Sequence, residues 1–294
     1  MTPLGNCRWN VISYLSDAPY FGAVMRCSTI LSTLGAVFLA VSGPATAQSL
    51  EGIVEAHVLP GSRLADGGHL AAIELRLAPG WKTYWRSPGE GGIPPQFDWD
   101  SSLNVATVAP HWPVPEVYWQ NGLRSIGYEA VVTVPIRITP DTANQPITLS
   151  GDMLIGVCEE VCVPVTLRID AELPPVAAEM HPRISAALSD RPLTADEAGV
   201  ATVACRIEPI EDGMRVAYSV AMPPMGGTEE AVVEFADPTV WVAEASADRD
   251  GGELTVIADL VPSHAAPFAL SREDLRLTVF GNGGAVDIRG CSAG

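Results

Sequence analysis

Two cysteines separated by three residues, Cys158 and Cys162, are the residues of this sequence best suited to chemistry. In an extended strand, positions i and i+4 lie about 13 Å apart, whereas a disulfide requires Cα atoms within about 7 Å. The two sulfurs can therefore bond only if the backbone turns between them, and Glu159 and Glu160 suit a solvent-facing turn. Pro164 follows and excludes a central strand at that point, because it lacks a backbone N–H. The stretch predicts a dithiol or disulfide pair at the end of a strand.

The reactivity expected of this pair follows from its neighbours. Thiol-disulfide exchange needs a thiolate that attacks a disulfide sulfur in line, and activated cysteines usually lie near Lys, Arg or His. The sequence neighbours here are instead the acidic residues Asp152, Glu159 and Glu160, which disfavour a thiolate. We therefore expect a pair that is attacked by an activated partner. The sequence does not show which sulfur is attacked first, although Cys162 is favoured because it follows the turn beside Pro164.

Two alternative roles for the pair remain open at this stage. The bond could be purely structural, although so short a loop constrains the unfolded chain only modestly. The cysteines could also bind Cu(I) with Met153 and His111 as further soft ligands, but nothing in the sequence places either residue beside them. No Cys-x-x-Cys-His motif occurs, which excludes a c-type haem. We assign no metal ligand and expect no cofactor.

Length and composition limit the classes of protein to consider. The chain has 294 residues, of which 47% are hydrophobic, so one large or two ordinary domains with a sizeable core are expected. The formal net charge is -18 and no basic stripe is present. Nucleic acid is therefore excluded as an expected partner, and adsorption to an anionic membrane surface is disfavoured.

The N-terminal segment, residues 1–47, is predicted to be a secretory signal peptide. A basic start at Arg26, an apolar run from Leu34 to Val41 and the small residues Ala45 and Ala47 follow the expected order. Residues 1–24 do not fit this pattern, which suggests that translation starts at Met25. An uncleaved anchor is the alternative, but the apolar run is short for a bilayer, and no later stretch is apolar enough to insert into a membrane.

The segment 48–173 is predicted to be the first domain, an antiparallel β-sandwich. Period-two alternation of apolar and polar residues marks five strands, at 51–58, 69–77, 131–138, 147–155 and 163–169. Between them lie two stretches rich in Gly, Pro and aromatic residues, 79–99 and 111–128, which we interpret as long irregular loops. The loop containing Tyr84, Trp85, Arg86 and Pro88 is predicted to be a lid or docking surface, although each tryptophan alone could simply fill the core.

A linker and a second β-sandwich are predicted to follow. The linker covers 174–192, with a short helix at 182–189 opened by a proline at its first turn. Seven short strands with Gly-containing hairpin turns between 200 and 288 then indicate a sandwich over 193–294. A structural disulfide between Cys205 and Cys291 would close a long loop, with two free thiols or a second redox pair as alternatives. Met222 and Met225 are interpreted as core residues rather than copper ligands.

The first domain resembles a known family. The residues that show this are Trp81 to Gly89, Gly92 to Pro95, Trp99, Gly127-Tyr128, and the stretch from Val157 to Pro164 with its two cysteines. Together they look like the periplasmic N-terminal domain of the DsbD/ScsB family, the thiol-disulfide interchange and suppressor-of-copper-sensitivity proteins. The resemblance covers most of 50–172, and the cysteine spacing is more similar to the ScsB branch.

The resemblance implies an immunoglobulin-like fold and a redox function. By similarity, Cys158 and Cys162 would accept electrons from a membrane-embedded disulfide reductase and pass them to thioredoxin-like periplasmic proteins, while an aromatic loop at Tyr84 and Trp85 would shield the pair. Family members usually continue into a membrane domain and a thioredoxin-like domain, which this sequence lacks, so we expect a stand-alone carrier. The competing hypothesis is a periplasmic binding module, for protein docking or copper handling. Whether the chain acts as a component of a protein-disulfide reductase is left open.

Overall fold

The computed structural model describes residues 52–120, 122–263 and 268–294. The predicted signal peptide lies outside the described residues. Among the helices that are described, none is both long and apolar enough to cross a membrane. The described residues form an all-β fold of antiparallel sheets with one short α-helix, which confirms the fold class expected from the alternating sequence pattern.

Ten strands precede the linker and form two sheets. They are β1 (Val54–Arg63), β2 (His69–Leu77), β3 (Lys82–Tyr84), β4 (Gln96–Asp98), β5 (Thr107–Pro110), β6 (Glu116–Gln120), β7 (Leu123–Glu129), β8 (Val131–Thr139), β9 (Ile147–Cys158) and β10 (Cys162–Leu173). The first sheet has the order β1-β2-β8-β5, and the second has the order β10-β9-β3-β7-β6, with β4 beside β9. Alternate residues of both sheets are buried in one apolar core, as a sandwich requires.

The two stretches interpreted as irregular loops contain β3, β4, β6 and most of β7, so that interpretation is wrong in part. Strands β3 to β7 are three to seven residues long, which is too short for the alternation of apolar residues to be recognised among prolines and glycines. Strand β3 matters most, because it lies in the interior of the second sheet between β9 and β7. It places its side chains directly beside the cysteine pair.

The predicted linker helix is present as α1 (Pro182–Ser189). Its first turn is capped by His181, whose Nδ1 accepts a hydrogen bond from the backbone N–H of Arg183, and Pro182 occupies the first helical position. Ile184 is buried against the first sheet. The buried carboxylate of Glu74 accepts from the guanidinium of Arg183, which fastens the helix to β2.

Ten further strands follow the helix. They are β11 (Leu193–Thr194), β12 (Thr202–Pro209), β13 (Met214–Ala221), β14 (Glu230–Phe235), β15 (Val240–Val242), β16 (Ser246–Asp250), β17 (Glu253–Pro262), β18 (Leu275–Gly281), β19 (Gly284–Arg289) and β20 (Ser292–Ala293), with a 3-10 helix at Arg272–Asp274. They form one sheet of order β11-β19-β18-β14 and another of order β15-β17-β13-β12-β20, with β16 beside β17. We call β1 to β10 the first strand set and β11 to β20 the second.

A disulfide joins Cys205 of β12 to Cys291, which directly precedes β20. Their Cα atoms are 5.7 Å apart, within the usual range for a disulfide. Cys205 is buried in the core of the second strand set, where Met222 and Met225 also pack. The bond connects the first long strand of this set with the C-terminus, a position that suits a structural cross-link closing a long loop.

The two strand sets pack tightly against each other. Trp85 of the first set is fully buried and meets Phe280 of the second edge-on, with ring centroids 5.4 Å apart. Arg86 makes two hydrogen bonds, of 2.8 and 3.0 Å, to the carboxylate of Glu234. Since the sets share this buried contact, the domain division at 174–192 that the sequence suggests stays a prediction.

Candidate functional site

The hairpin of β9 and β10 brings the two cysteines together. Cys158 is the last residue of β9 and Cys162 the first of β10, and they pair directly across the ladder with Cα atoms 4.1 Å apart. Their sulfurs are joined as a disulfide. The three residues between them form the turn, as the spacing predicted. Strand β10 lies at the edge of its sheet. Pro164 lacks a backbone N–H, and an edge strand tolerates this because one of its sides has no neighbouring strand.

The two sulfurs differ in their access to solvent. Cys158 is 5% exposed, whereas Cys162 is exposed at the mouth of the hairpin. A nucleophile that approaches from solvent along the axis of the disulfide bond therefore reaches the sulfur of Cys162 first. Cys158 then becomes the leaving group. This asymmetry supports the order of attack suggested by the position of Cys162 beside Pro164.

A tyrosine hydroxyl contacts the exposed sulfur. Tyr84 is the last residue of β3, and its hydroxyl lies 2.9 Å from Cys162 Sγ and 3.3 Å from the carbonyl oxygen of Gly91. Neither a disulfide sulfur nor a carbonyl oxygen carries a hydrogen, so these two acceptors share the single hydrogen of the hydroxyl. Burial raises the pKa of Tyr84 above its ordinary value, which keeps the hydroxyl protonated and able to donate. Of the residues in the predicted lid, Tyr84 is thus the one whose side chain contacts the cysteine pair.

Two glycines hold the ring of Tyr84 in this position. A Cβ on Gly156 would lie 2.8 Å from Cδ2 of Tyr84, and a Cβ on Gly92 would lie 2.9 Å from its Cδ1. Both distances are too short for van der Waals contact, so each residue must be a glycine for the ring to lie between them. Gly156 belongs to β9 and Gly92 to the loop after β3. The ring is thus enclosed between the sheet and that loop.

Lys82 is a neighbour of the cysteine pair that sequence reasoning missed. It is the only lysine of the chain, and the register of β3 and β9 places it directly opposite Cys158. Its ammonium group lies 4.5 Å from the centre of the Tyr118 ring. The sequence did contain a signal for this position of Lys82, because residues two apart in a strand, such as Lys82 and Tyr84, lie on the same face. Recognising it required identifying a strand of three residues.

The cysteines, Lys82 and Tyr84 line one small cavity of about 140 Å³. Its remaining lining residues are Gly91, Gln120, Leu123, Ser125 and Glu160. Of the three acidic neighbours noted in the sequence, only Glu160 borders this cavity, while Asp152 pairs with Arg168 at 3.4 Å. The local charge is therefore more balanced than the sequence suggested. Lys82 lies opposite Cys158 across the ladder and lines the same cavity, and a positive charge near a thiolate stabilises the thiolate form.

The other residues of the predicted lid lie elsewhere. Trp85 points to the opposite face of β3 and is buried against Phe280, and Arg86 is bound to Glu234, so neither covers the cysteine pair. Pro88 lines a separate cleft against the second strand set. None of these three residues lines the cavity at the cysteine pair, because consecutive residues of an extended chain point to opposite sides; the role of this loop as a lid or docking surface stays a prediction. Trp85 and Arg86 instead dock one strand set on the other.

The geometry does not favour the copper alternative. Met153 is 1% exposed and lies in the core, on the face of β9 opposite to Cys158. Neither Met153 nor His111 lines the cavity at the cysteine pair. Within the part of the chain that the structure describes, no group of three or more His, Cys, Asp or Glu residues is arranged to hold a metal ion.

Replacing Tyr84 by phenylalanine is expected to raise the pKa of the Cys162 thiol in the reduced protein by about one unit. A hydrogen bond to a charged group is worth about 1.5 kcal/mol, and this is close to one pKa unit. The measurement is the pH dependence of iodoacetamide alkylation of Cys162, resolved by mass spectrometry, with Tyr118→Phe as a matched control. An unchanged alkylation profile in Tyr84→Phe would show that the hydroxyl does not stabilise this sulfur.

Comparisons with known proteins agree on the first strand set. Residues 55–174 match the family described as thiol:disulfide interchange protein DsbD, N-terminal. The crystal structure of the N-terminal periplasmic domain of ScsB from Proteus mirabilis is similar in fold, with a TM-score of 0.63 and 21% sequence identity. That similarity covers 83% of this chain and 95% of the ScsB domain, so it extends over both strand sets. No curated protein matches.

Proposed function

Because residues 55–174 match the family described as thiol:disulfide interchange protein DsbD, N-terminal, we propose that this chain is a thiol-disulfide exchange carrier that works through Cys158 and Cys162. The observation that supports the proposal most strongly is the asymmetry of the disulfide. One sulfur is exposed and contacted by the Tyr84 hydroxyl, while the other is buried opposite Lys82. Such a site accepts attack at one sulfur and stabilises the other as it leaves.

The reaction consists of two thiol-disulfide exchange steps, and each step forms one disulfide bond as it breaks another. A partner thiolate attacks Cys162 Sγ, a bond forms between the two sulfurs, and the bond to Cys158 breaks, leaving its electron pair on Cys158 as a thiolate. The partner's second thiolate then attacks the partner sulfur of this mixed disulfide and releases Cys162. The partner is now oxidised and the carrier holds a dithiol. The reverse sequence reduces a client disulfide and restores the bond between Cys158 and Cys162.

The surroundings of the site suit a partner that docks on an apolar surface. Leu123 lines the cavity and is 53% exposed, and Val161 at the tip of the hairpin is 70% exposed. Exposed apolar side chains next to a reactive group mark an interaction surface. We assign this surface to thioredoxin-like proteins and to the membrane-embedded disulfide reductase that supplies electrons. The periplasm is the proposed location, by analogy with the ScsB domain and with the predicted signal peptide.

The alternative, a binding module with a structural disulfide, accounts less well for the hairpin. Strands β9 and β10 already pair over twelve residues each, so a bond between residues four apart in sequence adds little further constraint. By contrast, the disulfide between Cys205 and Cys291 closes a long loop and suits a structural role. The chain thus contains one disulfide suited to a structural role and one suited to exchange.

The redox state of the pair in living cells tests the proposal. Thiols are trapped with acid, alkylated and counted by mass spectrometry. A carrier is expected to be partly reduced at Cys158 and Cys162 while Cys205 and Cys291 remain oxidised, so the second pair serves as an internal control. A binding module would instead be fully oxidised at both pairs, and that result would contradict the proposed exchange.

A further inference from the structure

The loop that follows β3 separates the cysteine site from the second strand set. We call residues 87–92 the glycine loop, because it contains Gly89, Gly91 and Gly92. On one side, the carbonyl oxygen of Gly91 accepts from the Tyr84 hydroxyl, and Gly92 encloses the Tyr84 ring. The position of the glycine loop therefore determines where Tyr84 lies relative to Cys162.

The backbone of the glycine loop contacts the backbone of β7. The carbonyl oxygen of Pro88 accepts from the N–H of Ile126 at 2.9 Å. Gly89 has a positive φ of 81°, and a Cβ there would lie 2.9 Å from the carbonyl oxygen of Arg124. Only glycine satisfies both the backbone conformation and this close approach. The loop is thus seated on the residues from Arg124 to Ile126.

The side chain of Arg124 points into the second strand set. It is 2% exposed, and its Nη1 donates to the Glu230 carboxylate at 2.9 Å and to the Ala231 carbonyl oxygen at 3.1 Å. The Glu244 carboxylate lies 3.5 Å from its Nε. A buried guanidinium requires such partners, and removing one leaves an uncompensated charge. The second strand set therefore supplies the groups that fix Arg124.

The glycine loop is also anchored at its start, because the two residues before it contact the second strand set. Trp85 packs against Phe280, and Arg86 donates to Glu234 and Thr278. Beyond the glycine loop lies a cleft of about 330 Å³ between the loop and the second strand set, lined in part by Trp241 and Glu244. This space gives the loop room to move away from Tyr84 when its anchors are weakened. The anchors hold it at the site.

We propose that Arg124 is a positioning residue for thiol-disulfide exchange and that the second strand set restrains the glycine loop through it. This inference rests on the proposed function and gives the second strand set a role in it. While Arg124 is bound to Glu230, the glycine loop keeps Tyr84 in contact with Cys162, and this contact limits the access of attacking thiolates to the sulfur of Cys162. Weakening the anchor loosens the loop and opens the exposed sulfur to small thiols.

The test is the rate at which dithiothreitol reduces the bond between Cys158 and Cys162 in the purified protein, with thiols counted by mass spectrometry. Glu230→Gln is expected to increase this rate about fivefold. Asp259→Asn is the matched control, because it breaks an ion pair with Arg215 in the same strand set, away from the loop. Glu230→Asp, which keeps the charge but shortens the side chain, provides a second variant if Glu230→Gln folds poorly.

A further variant separates positioning from general destabilisation. If Arg124 acts through Tyr84, the rate increase caused by Glu230→Gln disappears in a Tyr84→Phe background, because the two changes then affect one coupled element. Equal rates for Glu230→Gln, Glu230→Asp and Asp259→Asn would overturn the inference while leaving the proposed function intact. A wild-type disulfide that dithiothreitol cannot reduce under native conditions would instead contradict the proposed function itself.

Discussion

Replacing Cys158 by serine is expected to trap a stable mixed disulfide between Cys162 and a thioredoxin-like partner whose own resolving cysteine is also replaced by serine. The exposed sulfur can still form a bond with the partner, but the buried thiol that would resolve this bond is missing. Replacing Cys162 by serine leaves only Cys158, which is 5% exposed and cannot be reached in line. We expect mixed-disulfide formation to be about tenfold or more slower in Cys162→Ser, because exchange depends on access to the sulfur.

The measurement is the rate at which each reduced variant couples to a thioredoxin that lacks its resolving cysteine and carries 2-nitro-5-thiobenzoate on the other, followed on a non-reducing gel, and to 5,5′-dithiobis(2-nitrobenzoate), followed by absorbance. The two serine variants serve as controls for each other, since each has one thiol in the same hairpin. Equal rates would contradict the assignment of Cys162 as the attacked sulfur. A faster reaction of Cys162→Ser would reverse the roles of the two cysteines.

Replacing Lys82 by methionine is expected to slow reduction of the disulfide about fivefold to tenfold. Lys82 lies opposite Cys158 across the ladder, and a nearby cation lowers a thiol pKa by about one unit or more. Loss of the cation therefore raises the pKa of the Cys158 thiol and makes it a poorer leaving group, and exchange is slower when the leaving thiol has a higher pKa. The measurement is the rate of reduction by dithiothreitol at fixed pH.

Two further variants show whether the slower reduction results from the loss of the positive charge of Lys82. Lys82→Arg keeps the positive charge and is expected to retain most of the rate. Glu160→Gln removes the carboxylate that lines the same cavity, so its expected effect has the opposite sign, a faster reduction. Thermal unfolding of each variant shows whether the hairpin is intact. If Lys82→Met and Lys82→Arg react equally slowly, the side chain matters for packing and not for its charge.

The features that sequence could predict are those encoded locally. The turn between the cysteines followed from their spacing, because residues four apart cannot bond in an extended strand. The long strands followed from alternation, and β2 (His69–Leu77) begins and ends where that alternation does. The helix α1 (Pro182–Ser189) followed from its proline punctuation. Each of these inferences depends on residues within about ten positions of one another.

The features that sequence did not show depend on contacts between distant segments. Lys82 meets Cys158 only because β3 pairs with β9, and a three-residue strand has no periodic pattern to reveal it. For the same reason, the sequence predicts a single lid that includes both Tyr84 and Trp85, although consecutive residues of an extended chain face opposite ways. Arg124 had no signal at all, since its carboxylate partners follow about a hundred positions later in another strand set. Pairings of this kind depend on tertiary structure.

The reduction potential of the bond between Cys158 and Cys162 tests the central claim most directly. It is measured by equilibrating the protein with glutathione or dithiothreitol buffers and counting thiols by mass spectrometry. We predict a potential above about -300 mV, within the range of exchange-active pairs, with Cys205 and Cys291 remaining oxidised as in structural disulfides. A potential well below about -300 mV would make the pair a structural disulfide and contradict the role as a carrier.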